Sequence, residues 1–223
     1  MTEKEHIMKS FDEELRQLKE TVIEMMRLAA RQVADAMEAL TTGDEVLAAK
    51  TIAKDARINR LQEAVDACTL RLLAMRQPVA NDLRFIMAAH RMADDLERIA
   101  DYAVGVSRRT LEQAGKELGD PVKTLGAMGG VALEMLYKVE ESFKGKDLEL
   151  AISAWRQDDE IDELYTEVIK ELQLLMISDS ECIEPCMAML NAAKAIERIG
   201  DHTTNLSEEI YFAETGEKFV ISK

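Results

Sequence analysis

The feature that most constrains this chain is a helical apolar rhythm that repeats after about 100 residues. Phe11, Leu15, Leu18, Val22, Met25, Ala29, Val33, Ala36 and Leu40 step by threes and fours. That spacing lines one face of an α-helix and no face of a strand. The pattern predicts six long helices: about His6–Thr42, Asp44–Met75, from after Pro78 to Ala114, Pro121–Lys144, Asp147–Met176 and Pro185–Ala213. Asp44 can cap the second. Gly43 and Gly145 sit where helices should end, and Gly126, Gly129 and Gly130 trade helix stability for close packing.

The six segments form two sets of three. Asp44-Glu-Val-Leu-Ala returns as Asp147-Leu-Glu-Leu-Ala, and Leu96-Glu-Arg-Ile-Ala-Asp101 returns as Ile196-Glu-Arg-Ile-Gly-Asp201. A repeat of this length is the size of a domain. The break Gly115-Lys-Glu-Leu-Gly119-Asp-Pro121 marks the boundary. The expected architecture is all-α: one three-helix bundle over residues 1–114 and a similar one over 115–223. Long helices joined by short turns pack antiparallel in such bundles.

Composition then removes several functions. Only 4% of residues are aromatic, with ten glycines and three prolines, which argues against a sandwich, barrel or Rossmann sheet. Forty-three acids against 28 bases give a net charge of −15, so nucleic acid is not an expected partner. No apolar run approaches the roughly 18 residues of a membrane span. The opening residues lack the basic and apolar regions of a secretory leader. Three cysteines (Cys68, Cys182 and Cys186), without a CxxC pair, suit a reducing cytoplasm.

The acids are not scattered evenly. His90, Asp94, Glu97 and Asp101 form a ladder on the third helix, beside its apolar stripe. Glu197, Asp201, Asn205 and Glu208 repeat it on the sixth. Asp55 and Asn59 on the second helix, and Asp158 and Asp162 on the fifth, lie toward the edges of their own stripes. Clustered carboxylates repel one another unless something positive lies between them. A hard cation on oxygen ligands is one solution, and arginine or lysine from a neighbouring helix is the other. Repetition of the acids at one phase in both halves brings the metal reading level with the ion-pair reading. The candidate ligands are Asp94, Glu97, Asp101, Glu197 and Asp201, with Asp55, Asn59, Asp158, Asp162 and Asn205 behind them. His90 reads as a packed or solvent-facing side chain, and His202 falls off the ladder.

The doubled Glu97-Arg-Ile-Ala-Asp101 and Glu197-Arg-Ile-Gly-Asp201 core resembles the PhoU family of bacterial phosphate-signalling regulators. His6-Ile-xxx-Phe11-xx-Glu14-Leu15 looks like the family's opening, and Arg76-Gln77-Pro78-xxx-Asp82-Leu83-Arg84 like the approach to its third helix. The resemblance covers nearly the whole chain. It implies two similar three-helix bundles, often dimerising, whose motif acids bind iron, zinc, magnesium or manganese. It implies a cytoplasmic adaptor that damps a phosphate-responsive sensor histidine kinase and contacts the ATPase subunit of the high-affinity phosphate ABC importer. Membrane association would then be peripheral, through partners, and no catalytic reaction is implied. Three positions depart from the pattern: Met26 replaces a frequent glycine, Lys194 stands opposite Asp94 in the repeat, and Asn59 opposite Asp162.

Three other readings compete. An accessory regulator of a low-affinity phosphate permease would share these features. A carboxylate-bridged di-metal enzyme needs acids pointing into a four-helix bundle, whereas these are expected to face outward. A structural spacer would simply pair the acids with Arg98, Arg198 and their neighbours.

Overall fold

The structure, a computed structural model, describes residues 3–54, 56–113 and 118–219, with side chains from residue 10 onward, residue 113 excepted. Among them there are helices and turns and no strand. The order is α1 (Glu3–Thr42), α2 (Glu45–Ala53), α3 (Ala56–Arg76), α4 (Ala80–Gln113), α5 (Asp120–Gly145), α6 (Leu148–Ser178), a short 3₁₀ turn (Ser180–Cys182) and α7 (Ile183–Thr215).

The helix ends follow the local chemistry. Gly43 takes a left-handed conformation, φ +68°, that stops α1. Asp44 then accepts a 2.9 Å hydrogen bond from the Leu47 amide and starts α2. The second half repeats this with Asp147, which accepts from the amides of Glu149 and Leu150. One detail differs. Gly145 stays helical, and Lys146 takes the left-handed position at φ +58°.

The segment expected as one helix from Asp44 to Met75 is two helices, α2 and α3. No proline or glycine marks the break. The Thr51 hydroxyl bonds back to the Leu47 carbonyl, and the Lys54 amide closes a tight turn on the Thr51 carbonyl. Hydroxyl back-bonding can bend a helix, but Thr166 and Thr203 do the same inside continuous helices, so the turn at Lys54 is what ends α2. α6, the counterpart of α2 plus α3, is continuous for 31 residues.

α1, α3 and α4, with α2 against them, pack as one bundle, and α5, α6 and α7 as the other. The two halves then share a broad seam. α1 and α5 run antiparallel: Lys19 meets Phe143, Arg27 meets Glu140, and Met37 meets Gly129. A Cβ at Gly129 would lie 2.5 Å from the Met37 methyl, and one at Gly126 would lie 3.1 Å from the Thr41 methyl. These two glycines permit the close approach expected of them, whereas Gly130 faces open space.

α4 and α7 make the most extensive helix pair of all. They too are antiparallel: Arg91 pairs with Glu209, Asp95 with His202 and Asn205, and Tyr102 with His202. Tyr102 and His202 occupy equivalent positions of the repeat, with ring centroids 5.6 Å apart. Like meeting like marks a local two-fold axis near Ala100 and Gly200. Along these two helices Ala89, Ala93, Leu96 and Ile99 of α4, and Ala193, Ile196 and Ile199 of α7, are all buried in the core. One apolar core runs through both halves without interruption. Each fully buried Leu, Ile, Met or Val contributes about 1.5–3 kcal/mol through removal from water.

Candidate metal centres

Each carboxylate ladder lies along the seam between the last helix of a half and the helix before it. In the first half that seam joins α3 and α4. Asp66 stands 2.9 Å from His90, and Gln62 donates a 2.8 Å hydrogen bond to Asp94. Asp94 and Asp101 are exposed, whereas the Glu97 side chain is only 19% exposed. Arg98 sits 3.7 Å from both Glu97 and Asp101. Asn59 turns a buried Oδ1 into this seam with no hydrogen-bond partner. Asp55 lies outside the described residues.

The second seam joins α6 and α7. Glu197 is 15% exposed and binds Lys194 at 2.6 Å, while Arg198 reaches Asp201 at 3.1 Å. The other Glu197 oxygen, Oε2, is buried without a hydrogen-bond partner. Asp158 is buried, and its Oδ1 fills the space over Gly200, 2.8 Å from where a Cβ would sit. Asp158 therefore belongs to the helix contact and does not stand on an outer edge. Asp162 is exposed one turn away. Asn205 turns instead to the interhelical seam, where it donates to Asp95 at 3.0 Å.

The two seams are related but not copies. Gln62 and Asp94 hold the place that Tyr165 and Lys194 hold in the second half, where the Lys194 ammonium lies over the Tyr165 ring at 5.4 Å. The exchange of Asp94 for Lys194 thus replaces an acid by an internal counter-ion. Glu97 with Asp101, and Glu197 with Asp201, keep a common arrangement in which the intervening arginine bridges both acids.

Among the described residues, no three His, Cys, Asp or Glu side chains converge as a metal-holding group. The donor chemistry nonetheless fits a hard cation. Every candidate ligand offers oxygen, and among them Asn59 Oδ1 and Glu197 Oε2 are buried acceptors without a hydrogen bond, Arg198 Nε standing 3.7 Å from the latter. Buried acceptors of that kind cost free energy until a donor or a cation satisfies them.

Asp95 gives no signal in the sequence. It lies off the repeated ladder, and its partners His202 and Asn205 are 107 and 110 positions away. It is 15% exposed and sits 2.7 Å from His202 Nδ1, so it ties the halves together at their crossing. Arg91 and Glu209 do the same one step further along. Only the antiparallel register of α4 and α7 brings these residues together.

The family model for the PhoU domain matches residues 22–110 and, a second time, residues 125–210. The chain is 40% identical over 214 residues to a phosphate-specific transport system accessory protein PhoU homolog of Rhizobium meliloti (strain 1021), covering 95% of this chain and 90% of that protein. It is 32% identical to the phosphate-specific transport system accessory protein PhoU of Escherichia coli (strain K12), over 96% of this chain and 89% of that one. The fold is similar to the crystal structure of PhoU from Pseudomonas aeruginosa, with a TM-score of 0.89 and 31% identity over 93% of this chain and all of that one. It is similar also to the phosphate transport system regulatory protein PhoU from Streptococcus pneumoniae, with a TM-score of 0.87 and 30% identity.

Proposed function

The chain belongs to the PhoU family, and on that premise we propose that it is an accessory regulator of a phosphate-specific transport system. The observation that carries this reading is similarity along nearly the full length to relatives named as such accessory proteins. In the finer form of the proposal, the protein is a cytoplasmic, non-catalytic adaptor. It links the ATPase subunit of a high-affinity phosphate ABC importer to a sensor histidine kinase and holds that kinase in check when phosphate is plentiful. No described helix is long and apolar enough to cross a membrane. Contact with the transport system would then be made through its ATPase subunit.

The proposal includes metal at the two seams. Glu97 and Asp101, with Asn59 behind them, would hold a cation in the first half. Glu197, Asp201 and Asp158 would do so in the second. The cation would supply positive charge to groups that otherwise rely on Arg98, Arg198 and Lys194. Iron, zinc, magnesium and manganese all accept such oxygen ligands. Self-association as a homodimer belongs to the same proposal.

The regulatory reading is tested by deleting the gene and measuring phosphate-responsive transcription in excess phosphate. Release of repression is expected; normal repression in the deletion strain overturns it. The metal reading is tested by elemental analysis of the gently purified protein beside Glu97→Ala/Asp101→Ala. Bound metal that falls in the variant supports it, and background levels in both leave the acids to their arginines.

A further inference from the structure

Most of the large apolar side chains left exposed stand at two hairpin tips, where α3 turns into α4 and α6 into α7. The tips are equivalent in the repeat but opposite in charge. Arg71, Arg76 and Arg84 lie at the first, with Asp82 and with Glu14 of α1, which pairs with Arg76 at 2.9 Å. The second carries Glu171, Asp179, Glu181 and Glu184, and no lysine or arginine occurs between Glu171 and Ala193. The last turn of α6 carries no basic residue, so its carbonyl ends add to the negative field.

This acidic tip holds an open groove of about 610 Å³ between the start of α5 and the end of α6. Leu118, Pro121, Leu174, Leu175 and Ile177 line it, and on its rim stand Asp120, paired with Lys123 at 2.8 Å, and Glu171, which accepts from Thr124. Ile177 is 82% and Leu174 67% exposed, three positions apart on one helix face. Across the turn, Ile183 and Met187 are about half exposed as well. Leu174 and Ile177 in particular bury little within the fold, so packing does not require them to be apolar.

We propose that this groove docks an amphipathic helical segment of a partner protein, one whose apolar face is flanked by lysines or arginines. Apolar anchors at helical spacing match a groove lined by leucine, isoleucine and proline. The acids of the tip, Glu171, Asp179, Glu181 and Glu184, select the sign of the flanking charge and speed encounter. A second copy presenting the same tip would bring like charges together, and at its other tip Arg76 and Arg84 are already engaged by Glu14 and Asn81; an anionic membrane would be repelled by the acids. The inference rests on the groove and its charge alone, so it stands or falls independently of the phosphate reading.

The test uses the full chain and two synthetic helical peptides. One places leucine at helical spacing with lysine elsewhere; the other replaces lysine by glutamate. Binding is read by fluorescence anisotropy, with circular dichroism confirming that every variant is folded. The lysine peptide is expected to bind and the glutamate peptide not to. Leu174→Asp/Ile177→Asp should weaken binding by about tenfold or more, as loss of central anchors does. Glu181→Lys/Glu184→Lys should weaken it too, whereas Leu70→Asp/Met75→Asp at the other tip should leave it unchanged. Failure of the lysine peptide to bind, equal binding of both peptides, or indifference to the groove variants overturns the proposal. So does concentration-dependent self-association of the wild type that substitutions at either tip abolish, since the groove would then be a contact between copies.

Discussion

Glu140 and Glu209 are both largely buried carboxylates that reach across the seam between the halves, and they lean in opposite directions. Burial pushes the Glu140 carboxyl up, but hydrogen bonds from Lys144 and Arg27 outweigh it and hold its pKa below the ordinary value. Its stabilisation is therefore complete above the ordinary carboxylate range and is lost as pH falls through the depressed native value. At Glu209 burial wins over the Arg91 partner, and the pKa is raised. Its contribution is complete at acid pH and is lost as pH rises through the raised native value. Glu140→Gln should therefore cost about 1–3 kcal/mol at neutral pH, a deficit that shrinks on acidification. Glu209→Gln should show the reverse slope, with its deficit largest in acid. Urea unfolding of both variants across a pH series checks the two signs. The sequence made neither residue conspicuous. The ladder acids stood out because the repeat doubles them, whereas Glu140 and Glu209 take their character from partners on distant helices.

Among the elements, α6 and α7 lie closest at Gly200, where a Cβ would meet Asp158 Oδ1 and Ile161 Cδ1 at 2.8 Å. Gly200→Val should thus destabilise by about 1–3 kcal/mol through overpacking. Gly130 offers the opposite case. It sits inside α5 facing solvent, with nothing within 4 Å of a added Cβ. Gly130→Ala should stabilise by about 0.5–1 kcal/mol, because it removes only backbone freedom from the unfolded chain. Thermal melts of the pair separate a packing glycine from an idle one. At this scale the sequence was largely readable. The cap Asp44, the helix start at Asp147, the stop at Gly43 and the apolar stripes all predict what the fold contains. The break between α2 and α3 was not readable, because a tight turn at Lys54 makes it without glycine or proline. The three glycines of α5 look alike in sequence, and only the path of α1 distinguishes them.

For the whole molecule, the decisive fact is that one core passes through both halves. Calorimetry should show one cooperative unfolding transition; two resolved transitions would mean that the halves fold independently. We propose that the division lies between residues 114 and 115. Fragments 1–114 and 115–223, produced together, should then co-purify, whereas each alone should expose its α4 or α7 face and aggregate. The antiparallel pairing of equivalent helices about a local axis has an evolutionary corollary. Such a seam is self-complementary, the kind that two identical chains would form as a symmetric dimer. Joining two copies end to end turns an encounter that dilution can undo into one held at an effective concentration on the order of millimolar. Once tethered, neither copy must remain identical to the other, and Lys194 opposite Asp94, or an acidic tip opposite a basic one, records that freedom.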